Sequence, residues 1–183
     1  MPRSAPVAPL AAPLTDGVVT VRHRRPADVD AVVEASHDPQ TRRWLDDDPL
    51  EPVTSDAHRR ASVRRAEQTW RAGTSAPLVI ADAGTDEPVG LVNLQFSDDR
   101  TASIAYSVFP AHRGRGVASR AVQVVTAWAL GDLGVEVLRL EADADNVASV
   151  RVAEKCGFHL VDESRSLDPD GRERRTTVFQ HPS

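Results

Sequence analysis

Two short stretches hold the residues whose types and spacing can do chemistry. The first is Arg113-Gly114-Arg115-Gly116-Val117-Ala118-Ser119; the second runs from Asn146 to Ser149. Gly114 and Gly116 let the main chain approach a ligand without side-chain obstruction. Beyond them, Val117, Ala121, Val124, Val125 and Trp128 recur at helical spacing, which predicts a helix from about Gly114 to Leu130. A helix start presents unpaired N–H groups and the positive end of a dipole, so this segment can hold a phosphate mainly through its main chain. Arg113 and Arg115 add positive charge. In the second stretch, Asn146 supplies an amide and Ser149 a hydroxyl, groups that either hold a polar ligand or cap the following helix.

Which phosphate ligand this loop takes is narrowed by what is missing. A nucleotide-binding P-loop ends in Gly-Lys-Ser/Thr, a sequence this segment lacks. The dinucleotide fingerprint places a third glycine where Ser119 stands and begins from the first strand of a doubly wound sheet. Here three strands with short connections come first, which counts against a nucleotide-binding redox protein.

Those strands are expected at Pro77–Asp82, Val89–Phe96 and Thr101–Phe109, an antiparallel meander. An earlier strand is expected around Val18, Val19 and Val21, then a helix from Pro26 to Ser36 with Ala27, Val29, Val32 and Val33 as its apolar stripe. A short helix near Thr41–Leu45 and an acidic loop at Asp46–Pro52 follow. Thr54 or Ser55 can cap a helix through Trp70, with Gly73 as its stop. Its Arg59, Arg60, Arg64 and Arg65 read as a solvated face, with an electrostatic guide for a ligand as the alternative. After the phosphate helix come a strand at Val135–Ala142, a helix at Val147–Cys156, and strands at Phe158–Ser164 and Arg174–Gln180, the last two joined by the turn Asp168-Pro169-Asp170-Gly171. The fold class is α/β with a mixed sheet, antiparallel first and then a strand–helix–strand unit whose two strands run parallel.

Length and composition set the bounds. The 183 residues suit one domain, expected at 16–183 behind a Pro/Ala-rich disordered leader at 1–15. A hydrophobic content of 40% is enough for a core. The formal net charge of -5 argues against nucleic acid as a partner. The lone Cys156 rules out an intramolecular disulfide and a zinc–thiolate cluster, and reads as a packed residue rather than a nucleophile. No metal site is expected. No apolar run is long enough for a membrane span and the leader lacks a secretory pattern, so a cytoplasmic location is expected.

The two stretches together resemble a known family. Arg113-Gly114-Arg115-Gly116-Val117-Ala118 matches the signature Gln/Arg-x-x-Gly-x-Gly/Ala of the Gcn5-related N-acetyltransferases. Asn146-Val147-Ala148-Ser149, followed by Glu154-Lys155-Cys156-Gly157-Phe158, resembles a block of that family's Rim-type branch, which includes ribosomal-protein N-terminal and spermidine acetyltransferases. The resemblance covers roughly Asp16 to Gln180.

It implies the family's sheet, in which the third antiparallel strand bulges and splays from the strand after the phosphate helix, with helices on both faces. It implies acetyl-CoA as the cofactor, held at Tyr106, Ser107, Val108, Arg113 to Ser119 (with Gly114, Arg115, Gly116, Val117 and Ala118 between), Asn146 and Ser149. The Val108 N–H then polarises the thioester carbonyl, and the Ser149 hydroxyl meets the coenzyme sulfur as thiolate forms. The partner it implies is an amine-bearing small molecule or a peptide N-terminus, and relatives often form homodimers.

One position departs from the pattern. Relatives in this branch often carry Glu-Ile-Gly-Tyr on the third strand, where this chain reads Ser103-Ile104-Ala105-Tyr106. Glu141 is then the candidate base: either it orders a water for proton removal, or it pairs with Arg139. A missing base tilts the acceptor towards an α-amine, which ionises near ~7.7–8.0 against ~10.4 for lysine. Asp46, Asp47 and Asp48 either attract a cationic acceptor or form a solvated loop. The loss of glutamate at position 103 also sustains a second reading, a non-catalytic acyl-CoA sensor.

Overall fold

The structure, a computed structural model, describes residues 7, 9–44, 49–98, 100–167 and 173–182. The aspartates at 46–48 and the turn at 168–171 lie outside these. The elements in chain order are β1 (Leu14–Thr15), β2 (Val19–Arg22), α1 (Val29–Ser36), α2 (Pro39–Trp44), α3 (Asp56–Arg71), β3 (Ser75–Asp82), β4 (Pro88–Phe96) and β5 (Thr101–Val108). Then come α4 (Val117–Gly131), β6 (Val137–Asp143), α5 (Val147–Lys155), β7 (His159–Leu167) and β8 (Glu173–His181). Local chemistry sets several ends. Ser55 caps α3 by accepting the His58 N–H at 3.2 Å, and Gly73, at φ 68°, ends it in the left-handed region. None of these helices is long and apolar enough to cross a membrane.

The strands form one eight-stranded sheet in the order β1-β2-β3-β4-β5-β6-β8-β7. Every neighbouring pair is antiparallel except β5 and β6. That parallel pair is short: Thr101, Ala102 and Ser103 oppose Val137, Leu138 and Arg139, and there the pairing ends. β5 stays paired with β4 up to Val108, and β6 with β8 up to Asp143. The two strands therefore part in the middle of the sheet while each remains held on its outer side. The expected bulge in β5 is absent: the β4–β5 register runs unbroken from Phe96–Ala102 to Gly90–Val108. The gap arises from the divergence of β6.

Side-chain alternation assigns the two faces. Val92, Leu94 and Phe96 of β4 pack with Ala121, Val122, Val125 and Ala129 of α4 in the main core. Leu91 points the other way, against Val32, Ala35 and Phe109. The apolar stripe of α1 is thus Val29, Val32 and Ala35; Ala27 is exposed and Val33 half-buried, because the chain enters through a short 3-10 turn at Pro26–Asp28 that offsets the helix phase.

Ordered contacts begin ahead of the Asp16 boundary expected from sequence. Leu14 and Thr15 pair with Val21 and Thr20, and buried Val7 accepts a hydrogen bond from the Trp70 indole at 2.9 Å. Leu10 and Leu14, on either side of Pro13, pack against the main core.

A buried ion pair fixes the entry to α1. Arg22, 4% exposed, donates two bonds to Asp28, 2% exposed, at 2.8 and 3.0 Å. Asp28 also accepts the Arg25 N–H at 2.6 Å, and the Arg22 Nε reaches Asp86 at 2.7 Å. Removing Asp28 leaves the buried Arg22 guanidinium with only the half-exposed Asp86 as counter-charge, which costs about 3 kcal/mol, the low end for a broken buried pair. Asp28→Ala is expected to lose that much stability in urea unfolding. A loss below about 1 kcal/mol, the range of a solvated pair, would contradict the assignment.

Candidate active site

The parting of β5 and β6 opens a cleft of about 360 Å³. Its walls include Tyr106, Ser107 and Val108 from β5, Arg113, Gly114, Gly116, Val117, Ala118 and Ser119 from the loop and first turn of α4, and Asn146 and Ser149 from α5. The structure thus brings together almost every site residue expected from sequence. Arg115 is exposed and outside the cleft lining, with no hydrogen bond or ion pair among the described residues.

Backbone geometry aims the β5 edge into this cleft. The Phe109 N–H donates to Val89 O at 2.9 Å across the β4 ladder. Main-chain groups alternate sides along a strand, so the N–H groups of Val108 and Tyr106 point away from β4, towards the gap left by β6. The Val108 carbonyl, on the same side, accepts the Arg113 Nε–H at 3.1 Å.

The loop between β5 and α4 is shaped by two glycines. Gly114 and Gly116 have φ of 74° and 77°, and a Cβ on either would meet no atom within 4 Å, so the space in front of them is open. Gly116 is the N-cap of α4 and has no side chain to cap with; the first turn holds no acidic residue. The Arg120 N–H closes the first helical bond onto Gly116 O at 3.2 Å, which leaves the N–H groups of Val117, Ala118 and Ser119 without helical partners. An open, uncapped helix start of this kind fits a phosphate group.

Arg113 plays a different part from the one its charge suggests. Its guanidinium donates to Asp38 at 2.6 Å, to Thr41 at 2.9 Å and to Gln40 at 2.9 Å, besides the bond to Val108 O. It ties the start of α2 to the end of β5. The Asp38 carboxyl, whose pKa this guanidinium and the Thr41 N–H lower against the opposing effect of burial, also caps α2 by accepting the Thr41 N–H at 2.7 Å. This brace brings Gln40, Thr41 and Trp44 to the cleft wall.

On the α4 side of the sheet two hydroxyls meet. Tyr106 Oη and Ser149 Oγ lie 2.9 Å apart, a contact between residues 43 positions apart in sequence. Asn146 caps α5, its Oδ1 accepting the Ser149 N–H at 3.2 Å, and so fixes the turn that carries Ser149. Cys156 packs behind the site, its thiol donating to Ser119 O at 3.4 Å, with burial raising its pKa.

Glu141 is not among the cleft residues. It alternates with buried Leu140 and Ala142, so it lies on the opposite face of the sheet, exposed, with Arg139. The ion pair with Arg139 is not formed, and Glu141 has no polar partner among the described residues. His112, at the end of the short 3-10 turn Pro110–His112, also lines the cleft.

Burial pushes the Tyr106 phenol up to about 12, with the Ser149 hydrogen bond acting in the opposite direction. Tyr106 is the only tyrosine, so ultraviolet difference absorbance reads this one group. Unfolded, it ionises near ~10. Its raised value therefore contributes stability that is present below pH ~10 and lost as pH rises towards 12. The tyrosinate signal is expected near pH 12 in folded protein, higher still in Ser149→Ala, and near ~10 in urea. A midpoint near ~10 in folded protein would contradict the desolvation of the Tyr106 hydroxyl.

Comparison with known proteins accords with this geometry. A family model described as an acetyltransferase (GNAT) domain matches residues 19–159, from the first residue of β2 to the first of β7. The probable N-acetyltransferase YjcK of Bacillus subtilis (strain 168) is 36% identical over 84 residues, 44% of this chain and 46% of that protein, so the match spans about half of that relative's length. Among solved structures, a GNAT-family acetyltransferase from Bacillus anthracis superposes with a TM-score of 0.74 at 19% identity, over 92% of this chain and 97% of the other. RimL, a ribosomal L7/L12 alpha-N-protein acetyltransferase in complex with coenzyme A, does so with a TM-score of 0.75 at 18% identity, over 93% and 96%. A cleft between parted strands, an uncapped glycine loop at a helix start and a family match over most of the sequence lead to one conclusion: this chain belongs to the GNAT acetyltransferases, acyltransferases whose acyl donor is acetyl-CoA.

Proposed function

We propose that the protein transfers an acetyl group from acetyl-CoA directly to a primary amine, either a peptide α-amine or a small amine, as in the Rim-type branch. The observation that carries this reading is the Tyr106–Ser149 hydroxyl pair, set between an open helix start and the freed edge of β5. When bound, acetyl-CoA supplies an activated acyl carbon and a sulfur leaving group. The main chain from Gly114 to Ser119 holds the phosphates, and Arg113 keeps that loop in register with β5. The Tyr106 and Val108 N–H groups and the Asn146 side-chain amide position the extended arm.

Two hydroxyls 2.9 Å apart carry two protons, and only one can lie between them. The other is free to be donated into the cleft, at Ser149 Oγ or at Tyr106 Oη. Because the phenol stays protonated to about 12, this donor persists across the neutral range. The Val108 N–H stabilises negative charge on the acyl oxygen, a contribution of ~3 kcal/mol for one well-aimed donor.

The amine must arrive neutral. An α-amine near ~7.7–8.0 does so without a strong base. Glu141, exposed on the far face of the sheet and outside the cleft lining, is given no direct part in taking a proton inside the cleft. The likeness to RimL, named for α-N-protein acetylation, supports a peptide α-amine over a lysine side chain.

Steady-state kinetics on Ser149→Ala, Tyr106→Phe and the double variant test the reading. Loss of proton delivery is expected to lower kcat by ~10²-fold in the double variant, with the KM for acetyl-CoA little changed. A double variant with full kcat would remove the pair from the mechanism.

A further inference from the structure

A second cavity, of about 670 Å³, lies on the other face of the sheet, walled by α1, α3 and β3. Two arginines line it, Arg24 and Arg65, together with His58 and the exposed carboxylate of Glu51. Arg24 is half-buried. Its Nη1 donates to Ser62 Oγ at 3.2 Å, and its Nε is buried with no hydrogen-bond partner. Among the described residues no carboxylate pairs with Arg24 or with Arg65. Asp28 is the nearest candidate by charge, but it is already held by Arg22 and the Arg25 N–H. Burial lowers the Arg24 pKa, and the neighbouring charge of Arg65 adds to that lowering against the pull of Asp28. A desolvated guanidinium without a counter-charge is costly and stays protonated at neutral pH. Arg24, with its Nε desolvated, and the exposed Arg65 face one cavity, neither paired with a carboxylate among the described residues, an arrangement that suits an anionic ligand.

Register links this cavity to the reacting end of the cleft. Pro77, in the cavity wall, pairs with Asn93, and Asn93 pairs with Ala105 on β5, all three on one face. Neighbouring strands lie ~4.8 Å apart, so the cavity floor is roughly 10 Å from Ala105, the residue before Tyr106. The β5–β6 gap opens between the two faces at that point, since pairing stops at Ser103.

We propose, resting on the acetyl-transfer reading, that the acceptor lies across this face. Its amine meets β5 near Ala105–Ser107, and an anionic group it carries, a carboxylate or a phosphate, sits between Arg24 and Arg65. An extended peptide advances ~3.3 Å per residue, so an acidic side chain at its second to fourth position spans the distance. The acceptor class is an amine with an anion roughly 10 Å away, and polyamines are disfavoured by the same two charges.

The test uses amidated peptides Ser-Ala-Glu, Ser-Ala-Gln and Ser-Ala-phosphoserine, with spermidine alongside. The two acidic peptides are expected to exceed the glutamine peptide in kcat/KM by ~10-fold or more, the difference carried by KM. Which of the two leads identifies the anion. Arg65→Glu, on an exposed position that folding tolerates, and Arg24→Gln are each expected to compress the acidic-to-neutral ratio towards one. Equal kcat/KM for acidic and glutamine peptides, a preference for spermidine, or an unchanged ratio in both variants would overturn the proposal. Calorimetric binding of the same peptides to the protein without coenzyme gives an independent readout. Selective binding of the acidic peptides without any turnover would count against the acetyl-transfer reading and leave the anion site standing.

Discussion

The site depends on a limit to strand pairing. β5 and β6 share three residue pairs and then diverge, while β4 and β8 keep holding their outer edges. Main-chain groups inside a sheet are obligatory hydrogen-bonding groups, so an inner edge left unpaired must find partners elsewhere. One of them, the Val108 carbonyl, finds Arg113. The N–H groups of Tyr106 and Val108 face the cleft, where an extended ligand can complete what β6 abandons. A coenzyme with an amide-bearing arm is suited to that position, since it can pair as a strand would.

Charge is divided to match. At the start of α4 the attraction for an anion comes from unpaired helix N–H groups and the open backbone of Gly114 and Gly116 rather than from a salt bridge. Arg113, although charged, is spent on architecture, joining α2, the loop and β5 through one guanidinium. Deeper in the cleft the groups are neutral hydroxyls, desolvated enough that the phenol resists ionisation. On the opposite face, by contrast, Arg24 and Arg65 remain without carboxylate partners among the described residues. The sheet thus separates a pair of neutral hydroxyls on one side from an arginine-lined cavity on the other.

Much of this was legible in the sequence because it is local. The glycine spacing at 114 and 116 announces the loop, Ser55 and Gly73 bracket α3, and alternation places the strands of the meander to within a few residues. What escaped is what depends on approach in space. Tyr106 and Ser149 become partners only because α5, packed on α4 and β6, brings its first turn within reach of the Tyr106 side chain, and nothing in either neighbourhood encodes that pairing. The Arg113–Asp38 brace likewise joins residues 75 apart in sequence. The residues before Asp16 looked unstructured because their prolines forbid a helix, yet Val7, Leu10 and Leu14 still had apolar surface to bury. Glu141 was placed on the correct strand and the correct face; that the face is exposed there follows from packing that periodicity does not reveal.

The central claim is that the parted strands and the open helix start form an acetyl-CoA site. Isothermal titration of the folded protein with acetyl-CoA, with NAD and ATP as controls and Gly116→Asp as the matched variant, tests it most directly. The account predicts selective, micromolar-range binding of acetyl-CoA that Gly116→Asp abolishes, since a carboxylate at a position with φ 77° opposes both the backbone conformation and the phosphate. Equal affinity of the variant, or no binding by a folded wild-type protein, would contradict it.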